Sequence, residues 1–241
     1  MPSSTRRQLL AGAALIAVSH TALGATVTKV LPWRPNDANP PPVEPAGTWQ
    51  FFTPDEAATI EAIVDRLIPA DALGVGGKEA GCAVFIDRQL AGPYGSNDGL
   101  YMQGPFPPDP LPTQGLQSPL SPREQYRQGL EALAVYCRAQ FQSRAFPSLT
   151  DEEKDTVLHG LDQGRIALPG ANGRALFNAI LTNTNEGFFA DPIYGGNKDM
   201  AGWKLVGFAG TRYDYRDVIA NPNQPYTLPP VSLRGRAGAS Q

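Results

Sequence analysis

Apolar residues recur at helical spacing in several stretches of the chain, and the clearest lies in residues 51–71, FFTPDEAATIEAIVDRLIPAD. Positions i, i+3, i+4 and i+7 of one stripe are Ile60, Ile63, Val64 and Leu67. Thr53 as N-cap, with Pro54 after it and Glu56 three residues on, forms a capping-box pattern, and Pro69 ends the helical pattern. This stretch predicts an amphipathic helix with one buried face.

Four further helices are predicted, the first of them over roughly residues 79–90. Capping residues precede the other three: Ser121 with Glu124, Thr150 with Glu153, and Asn172. The apolar positions expected to face inward are Val84, Phe85 and Leu90; Tyr126, Leu130, Leu133, Ala134, Cys137 and Phe141; Val157, Leu158 and Leu161; and Leu176, Phe177, Ile180 and Leu181.

The connecting segments are rich in proline and glycine. Residues 92–122 predict a long irregular loop whose Tyr, Phe, Leu and Met content favours order on a surface. No strand-like alternation of any length occurs. We therefore predict a mainly α single helical domain with long ordered Pro/Gly-rich loops and extended N- and C-terminal arms. The expected boundaries are a Pro-rich linker at 25–48, the helical domain at 49–220 and an extended tail at 221–241.

The N-terminus has the pattern of an export signal over residues 1–24. Arg6 and Arg7 precede an apolar run, and Ala22-Leu23-Gly24 is a small-x-small cleavage pattern. The order Thr-Arg-Arg-Gln-Leu-Leu matches a twin-arginine signal, a route that carries folded proteins. A general secretory signal and an uncleaved anchor remain the alternatives.

Composition narrows the function classes. The 241 residues carry a formal charge of −3 and a pI near 5.4, which argues against a nucleic-acid partner. Of two histidines, His20 lies in the signal and His159 on a predicted helix edge, so no multi-histidine metal site is expected. Cys82 and Cys137 form either a disulfide, which export would permit, or two buried thiols.

Motifs for the common kinds of catalysis are missing from the sequence. It contains no Cys-x-x-Cys-His for covalent haem, no Gly-x-Gly-x-x-Gly after a strand and no Gly-x-Ser-x-Gly elbow. Carboxylates remain, and two of them could flank a glycosidic bond. A free-standing periplasmic carboxylate-based hydrolase is therefore one alternative function, and a periplasmic binding or scaffold module is another.

Residues 187–210, GFFADPIYGGNKDMAGWKLVGFAG, combine six glycines with five aromatic residues. Asp191-Pro192 and Gly195-Gly196-Asn197 predict turns, and Asn197 is expected to cap a short helix over 198–206. The aromatic rings either complete the core of the domain or form a docking face for another protein. The predicted partner-binding residues are Phe188, Phe189, Tyr194, Gly195, Gly196, Asn197, Trp203, Tyr213 and Tyr215.

Several stretches, in order, resemble the gluconate 2-dehydrogenase subunit 3 family, the small subunit of membrane-bound gluconate dehydrogenase. They are FFTPDEAATIEAIVDRLIPAD, AVFIDRQLAGPYG, QSPLSPREQYRQGL, EGFFADPIYGGNKDMAGWKLVGFAG and RYDYRD, behind the twin-arginine signal. The resemblance covers roughly residues 48–233.

The resemblance implies a periplasmic oxidoreductase complex associated with the inner membrane. An FAD-binding large subunit would oxidise a sugar acid, and a cytochrome c subunit would pass electrons to quinone. The small subunit would carry no cofactor and no catalytic residue, and would take the large subunit through the twin-arginine translocase. The substrate of the complex is left open between gluconate and other sugars or polyols.

Overall fold

The computed structural model describes residues 48–107, 111–114, 118–212, 215–216, 218–219, 222–225 and 229–233. Within them the chain forms seven α-helices: α1 Pro54–Leu67, α2 Cys82–Ala91, α3 Pro93–Ser96, α4 Pro122–Gln140, α5 Asp151–Asp162, α6 Gly173–Phe189 and α7 Ala201–Val206. Four single 3₁₀ turns connect them: Pro112–Gln114, Phe146–Ser148, Pro192–Tyr194 and Lys198–Met200. In this part of the chain β-pairing is limited to two isolated bridges, so the predicted mainly α fold is confirmed.

Local capping starts four of the helices where the sequence predicts it. The hydroxyls of Thr53, Ser121 and Thr150 each accept a hydrogen bond from the backbone N–H of the glutamate three residues later. That glutamate returns a bond to the N-cap backbone, so each capping box is complete. Asn172 accepts from the Ala175 N–H at the start of α6. These bonds satisfy N–H groups that have no partner inside the helix.

Three elements differ from the prediction. Helix α2 begins at Cys82 rather than near residue 79, because Gly81 adopts a left-handed conformation that breaks the helical path. Helix α6 continues through Phe189, three residues into the segment 187–210 for which the sequence predicted turns and a short helix. The predicted irregular loop 92–122 contains the one-turn helix α3.

Helix α6 lies at the centre of the domain and packs against α1, α2, α4 and α5. The largest fully buried side chains are Tyr126, Phe146, Ile60, Ile63, Ile86, Leu90, Leu133, Leu161, Ile180, Val64, Val157 and Asn197. Most are positions of the predicted stripes. Of the predicted inward residues, Leu67, Val84, Ala134, Phe141 and Leu181 are only partly buried.

Cys82 and Cys137 are free, buried cysteines. The disulfide, one of the two alternatives that the sequence left open, is not formed, and the structure has the buried thiols instead. Both side chains belong to the hydrophobic core. Burial raises the pKa of Cys82 to about 12 and that of Cys137 to about 11, so both stay protonated at neutral pH.

One buried carboxylate fixes the segment that leads into α1. Asp87 on α2 has no exposed surface and accepts hydrogen bonds from the backbone N–H groups of Gln50, Phe51 and Phe52 at 2.7–2.9 Å. The guanidinium of Arg88 donates to the same carboxylate at 2.7 Å. Residues 50–52 therefore enter the domain along α2 before α1 begins.

Among the residues that the structure describes, no helix has the length and apolar character needed to cross a membrane.

Candidate partner interface

The glycines of residues 187–210 let this segment fold back on the last turn of α6. A Cβ on Gly196 would lie 2.2 Å from the carbonyl oxygen of Gly187, and one on Gly202 would lie 2.1 Å from that of Phe188. Real Cβ atoms do not approach so closely, so only glycine allows these backbone contacts. Two of the glycines therefore serve the packing of the domain itself.

Asn197 joins the two arms of this fold-back. Its side chain is fully buried; Nδ2 donates to the Ala190 carbonyl at 2.8 Å and Oδ1 accepts from the Gly202 N–H at 2.9 Å. Gly202 lies in the first turn of α7, so the amide caps this helix as predicted, although Met200 occupies the N-cap position. Asn197, Asp199 and Met200 all have positive φ angles, a strained conformation that such fixed contacts maintain.

Two of the predicted docking rings lie inside the domain. Phe188 is 3% exposed and Trp203 is 4% exposed, so for these residues the docking interpretation is wrong and the core interpretation holds. The Trp203 Nε1–H donates to the Phe189 carbonyl at 2.7 Å, which ties α7 to the end of α6. The indole also packs edge-to-face against Phe208, with ring centroids 5.2 Å apart. Gly196 and Asn197 are buried as well and shape the turn.

Three predicted rings remain exposed: Phe189 at 44%, Tyr194 at 47% and Tyr215 at 42%. The guanidinium of Arg212 lies over the Tyr215 ring, 5.2 Å from its centroid. Tyr213, Arg6 and Arg7 lie outside the described residues.

The sequence reasoning missed Leu205, Val206 and Phe208 as surface residues. They are 46%, 59% and 50% exposed, respectively. The signal was the run LVGF after Trp203: a helix of six residues that buries its tryptophan has little remaining inward surface. We call Phe189, Leu205, Val206 and Phe208 the apolar face. Trp203 contacts both the Phe189 backbone and the Phe208 ring, and Leu205 and Val206 follow it in α7.

The charged groups in one surface pocket serve the fold. This pocket, of about 510 Å³, is lined by Phe51, Arg123 and Arg127 among others. Arg123 donates to the carbonyls of Leu90, Ala91 and Gly92, where it caps the C-terminus of α2. Arg127 is bound by Glu56 and the Phe51 carbonyl and stacks on the Phe51 ring.

Groups that could hold a metal ion are not found among the described residues, in which no three His, Cys, Asp or Glu side chains cluster. His159 is exposed on α5. Asp191, beside the aromatic segment, accepts from the N–H groups of Ile193 and Leu233 and is 8% exposed. This end of the domain therefore presents exposed apolar side chains on a tightly fixed backbone.

Comparison with known protein families matches residues 54–210 to gluconate 2-dehydrogenase subunit 3. The chain belongs to the gluconate 2-dehydrogenase subunit 3 family. The match runs from the first residue of α1 to four residues beyond α7, so it includes the whole apolar face. The family takes its name from a subunit of an oxidoreductase complex, which implies partner subunits. No curated protein and no solved structure matches the chain.

Proposed function

We propose that this chain is the non-catalytic small subunit of a periplasmic FAD-dependent dehydrogenase complex that oxidises a gluconate-type sugar acid. In this role it binds the flavoprotein subunit, stabilises it and supports its export. The observation that carries the proposal is membership of the subunit 3 family, together with a set of large apolar side chains left exposed beside a rigid segment. Exposed apolar surface of this kind marks protein contacts in soluble domains.

The proposed complex has two further subunits. The FAD-binding large subunit carries out the oxidation, and a cytochrome c subunit receives the electrons at the inner membrane. The haem would be held outside this chain, whose sequence has no Cys-x-x-Cys-His and whose two cysteines are buried in the core. Phe189, Tyr194 and Tyr215 are the predicted contact residues that remain exposed.

Export is proposed to follow the twin-arginine route, directed by Arg6 and Arg7. Because this route carries folded proteins, one signal can take a bound partner across with it. The test is Arg6→Lys/Arg7→Lys in the native host, with Arg34→Lys as the matched control beyond the signal. This chain, the flavoprotein subunit and dye-linked sugar-acid dehydrogenase activity are then followed in cytoplasmic and periplasmic fractions.

In the double variant all three should remain in the cytoplasm, whereas the control should match the wild type. A flavoprotein that reaches the periplasm beside the double variant would refute the export role. Hydrolytic activity of the purified small subunit alone, without flavin, would instead favour the free-standing hydrolase.

A further inference from the structure

The described part of the C-terminal tail is fastened to the segment that carries the apolar face. The Thr211 N–H donates to the Val231 carbonyl at 2.8 Å, and the Val231 N–H donates to the Ala209 carbonyl at 3.2 Å. Gly210, with φ of 79°, lies against this bridge; a Cβ there would be 2.1 Å from the Val231 oxygen. Val231 and Ser232 are buried, at 2% and 4% exposure. We call residues 229–233 the clasp.

Asp191 fixes the end of the clasp to the end of α6. One carboxylate oxygen accepts from the Ile193 N–H at 3.0 Å and begins the 3₁₀ turn after α6. The other accepts from the Leu233 N–H at 2.7 Å. The side chain of Leu233 itself is 58% exposed. A single buried carboxylate therefore joins the chain just after Phe189 to the chain at Leu233, and adds one more apolar side chain at this end of the domain.

We propose that the apolar face, together with Leu233, is the surface that docks the FAD-binding subunit, and that the clasp holds this surface in shape. The inference rests on the proposed function and assigns its partner-binding site. Of the nine partner-binding residues predicted from the sequence it keeps only Phe189, and it adds Leu205, Val206, Phe208 and Leu233.

The exposed area fits the centre of a protein interface. A large aromatic side chain has an area of roughly 150–250 Å², so five half-exposed large side chains leave roughly 400 Å² of apolar surface in water. The largest apolar patch on a typical monomer covers about 300–600 Å² and is often functional, and this area lies within that range. A stable interface buries about 800 Å² on each partner, with an apolar centre and a polar rim. The polar rim is available in Lys198 and Lys204, which are both exposed.

Residues 234–241, RGRAGASQ, contain no large apolar side chain that could cover this surface. The family is that of a subunit in a multi-subunit dehydrogenase, and its matched region includes the four residues of the apolar face. A flavoprotein subunit is therefore the occupant that we infer, ahead of a second copy of this chain.

The test compares exposed apolar residues of the proposed surface with one in the α1–α2 loop. Leu205→Glu, Val206→Glu and Leu233→Glu alter the proposed surface, and Leu73→Glu is the control, since Leu73 is 78% exposed in the α1–α2 loop. Two truncations test the clasp: one ends after Leu228 and lacks it, and one ends after Leu233 and keeps it. Each tagged full-length or truncated chain is produced in the native host and purified. Bound FAD absorbance, dye-linked dehydrogenase activity and far-UV circular dichroism are then measured.

We expect bound FAD and dehydrogenase activity to be at least tenfold lower in the three surface variants than in the wild type, while their helical circular dichroism signal stays at the wild-type level. The control and the truncation after Leu233 should retain both, and the truncation after Leu228 should lose both. Wild-type chain that retains no FAD would refute the proposed function itself. Wild type with bound FAD, and surface variants that retain it equally, would overturn the docking site alone. If the wild type is a dimer and the surface variants are monomers that retain FAD, the surface binds a second copy of this chain, and the proposed docking of the FAD-binding subunit is overturned.

Discussion

Asp87 offers the sharpest test of how the domain holds its first segment. Its two carboxylate oxygens accept four hydrogen bonds: Oδ1 from Phe51 and Phe52, and Oδ2 from Gln50 and Arg88. Asp87→Asn keeps the shape of the side chain but replaces one oxygen with an NH₂ group. Two of the four donors would then face another donor, and the other two would lose the charge of their acceptor.

The magnitude follows from the two bonds that are lost. A hydrogen bond to a charged group contributes about 1.5–3 kcal/mol, and a buried group left without its charged partner costs about 3–5 kcal/mol. We therefore expect Asp87→Asn to reduce the free energy of unfolding by about 3–5 kcal/mol, out of the roughly 5–15 kcal/mol typical of a domain. For a domain of this size each kcal/mol corresponds to about 2–4 °C in Tm, so the melting temperature should fall by about 10 °C.

The assay is urea unfolding of residues 25–241, followed by circular dichroism, with hydrogen exchange of the peptide that contains residues 50–52. Asp65→Asn is the matched control, because Asp65 is exposed on α1 and its neutralisation should change stability by less than about 0.5 kcal/mol. The amides of residues 50–52 should exchange faster in Asp87→Asn. Stability within about 0.5 kcal/mol of the wild type, with unchanged exchange of these amides, would refute the anchoring role.

Three further results are expected. Gly202→Ala should destabilise the chain by about 1–3 kcal/mol in urea, because its Cβ would strike a carbonyl of the last turn of α6, whereas Gly74→Ala, with open space around it, should change little. Arg66 on α1 donates hydrogen bonds to the Asp155 carboxylate, and these bonds lower the pKa of Asp155. The ionised carboxylate therefore stabilises the fold at pH values above its unfolded pKa, and this contribution is lost as pH falls from about 5 toward 3. Asp155→Asn should flatten the dependence of Tm on pH in that window, and an unchanged slope would contradict it. Cys82 and Cys137 should react with a thiol reagent only after unfolding; rapid labelling of the native chain would show that they are not held in the core.

Much of the helical fold follows from local sequence. Thr53, Ser121, Thr150 and Asn172 start their helices as predicted, because a capping side chain and its backbone target lie within three residues of each other. The start of α2 was predicted less well, since Gly81 carries no capping side chain and its left-handed conformation is set by the approach to Gly195. Helix α3 was missed because a single turn has no apolar periodicity to read.

The candidate interface depends far more on tertiary structure. The sequence alone determined that residues 187–210 combine turns with aromatic side chains, which are unfavourable to leave in water, and that the chain has the family's motifs. It did not determine which rings are exposed. Phe188 and Phe189 are adjacent and alike, yet one is buried and the other half-exposed, because successive helix positions point about 100° apart. Only the tertiary structure at this end of the domain, where α7 contacts α6 and the clasp bonds to Asp191, Ala209 and Thr211, decides which apolar side chains stay exposed.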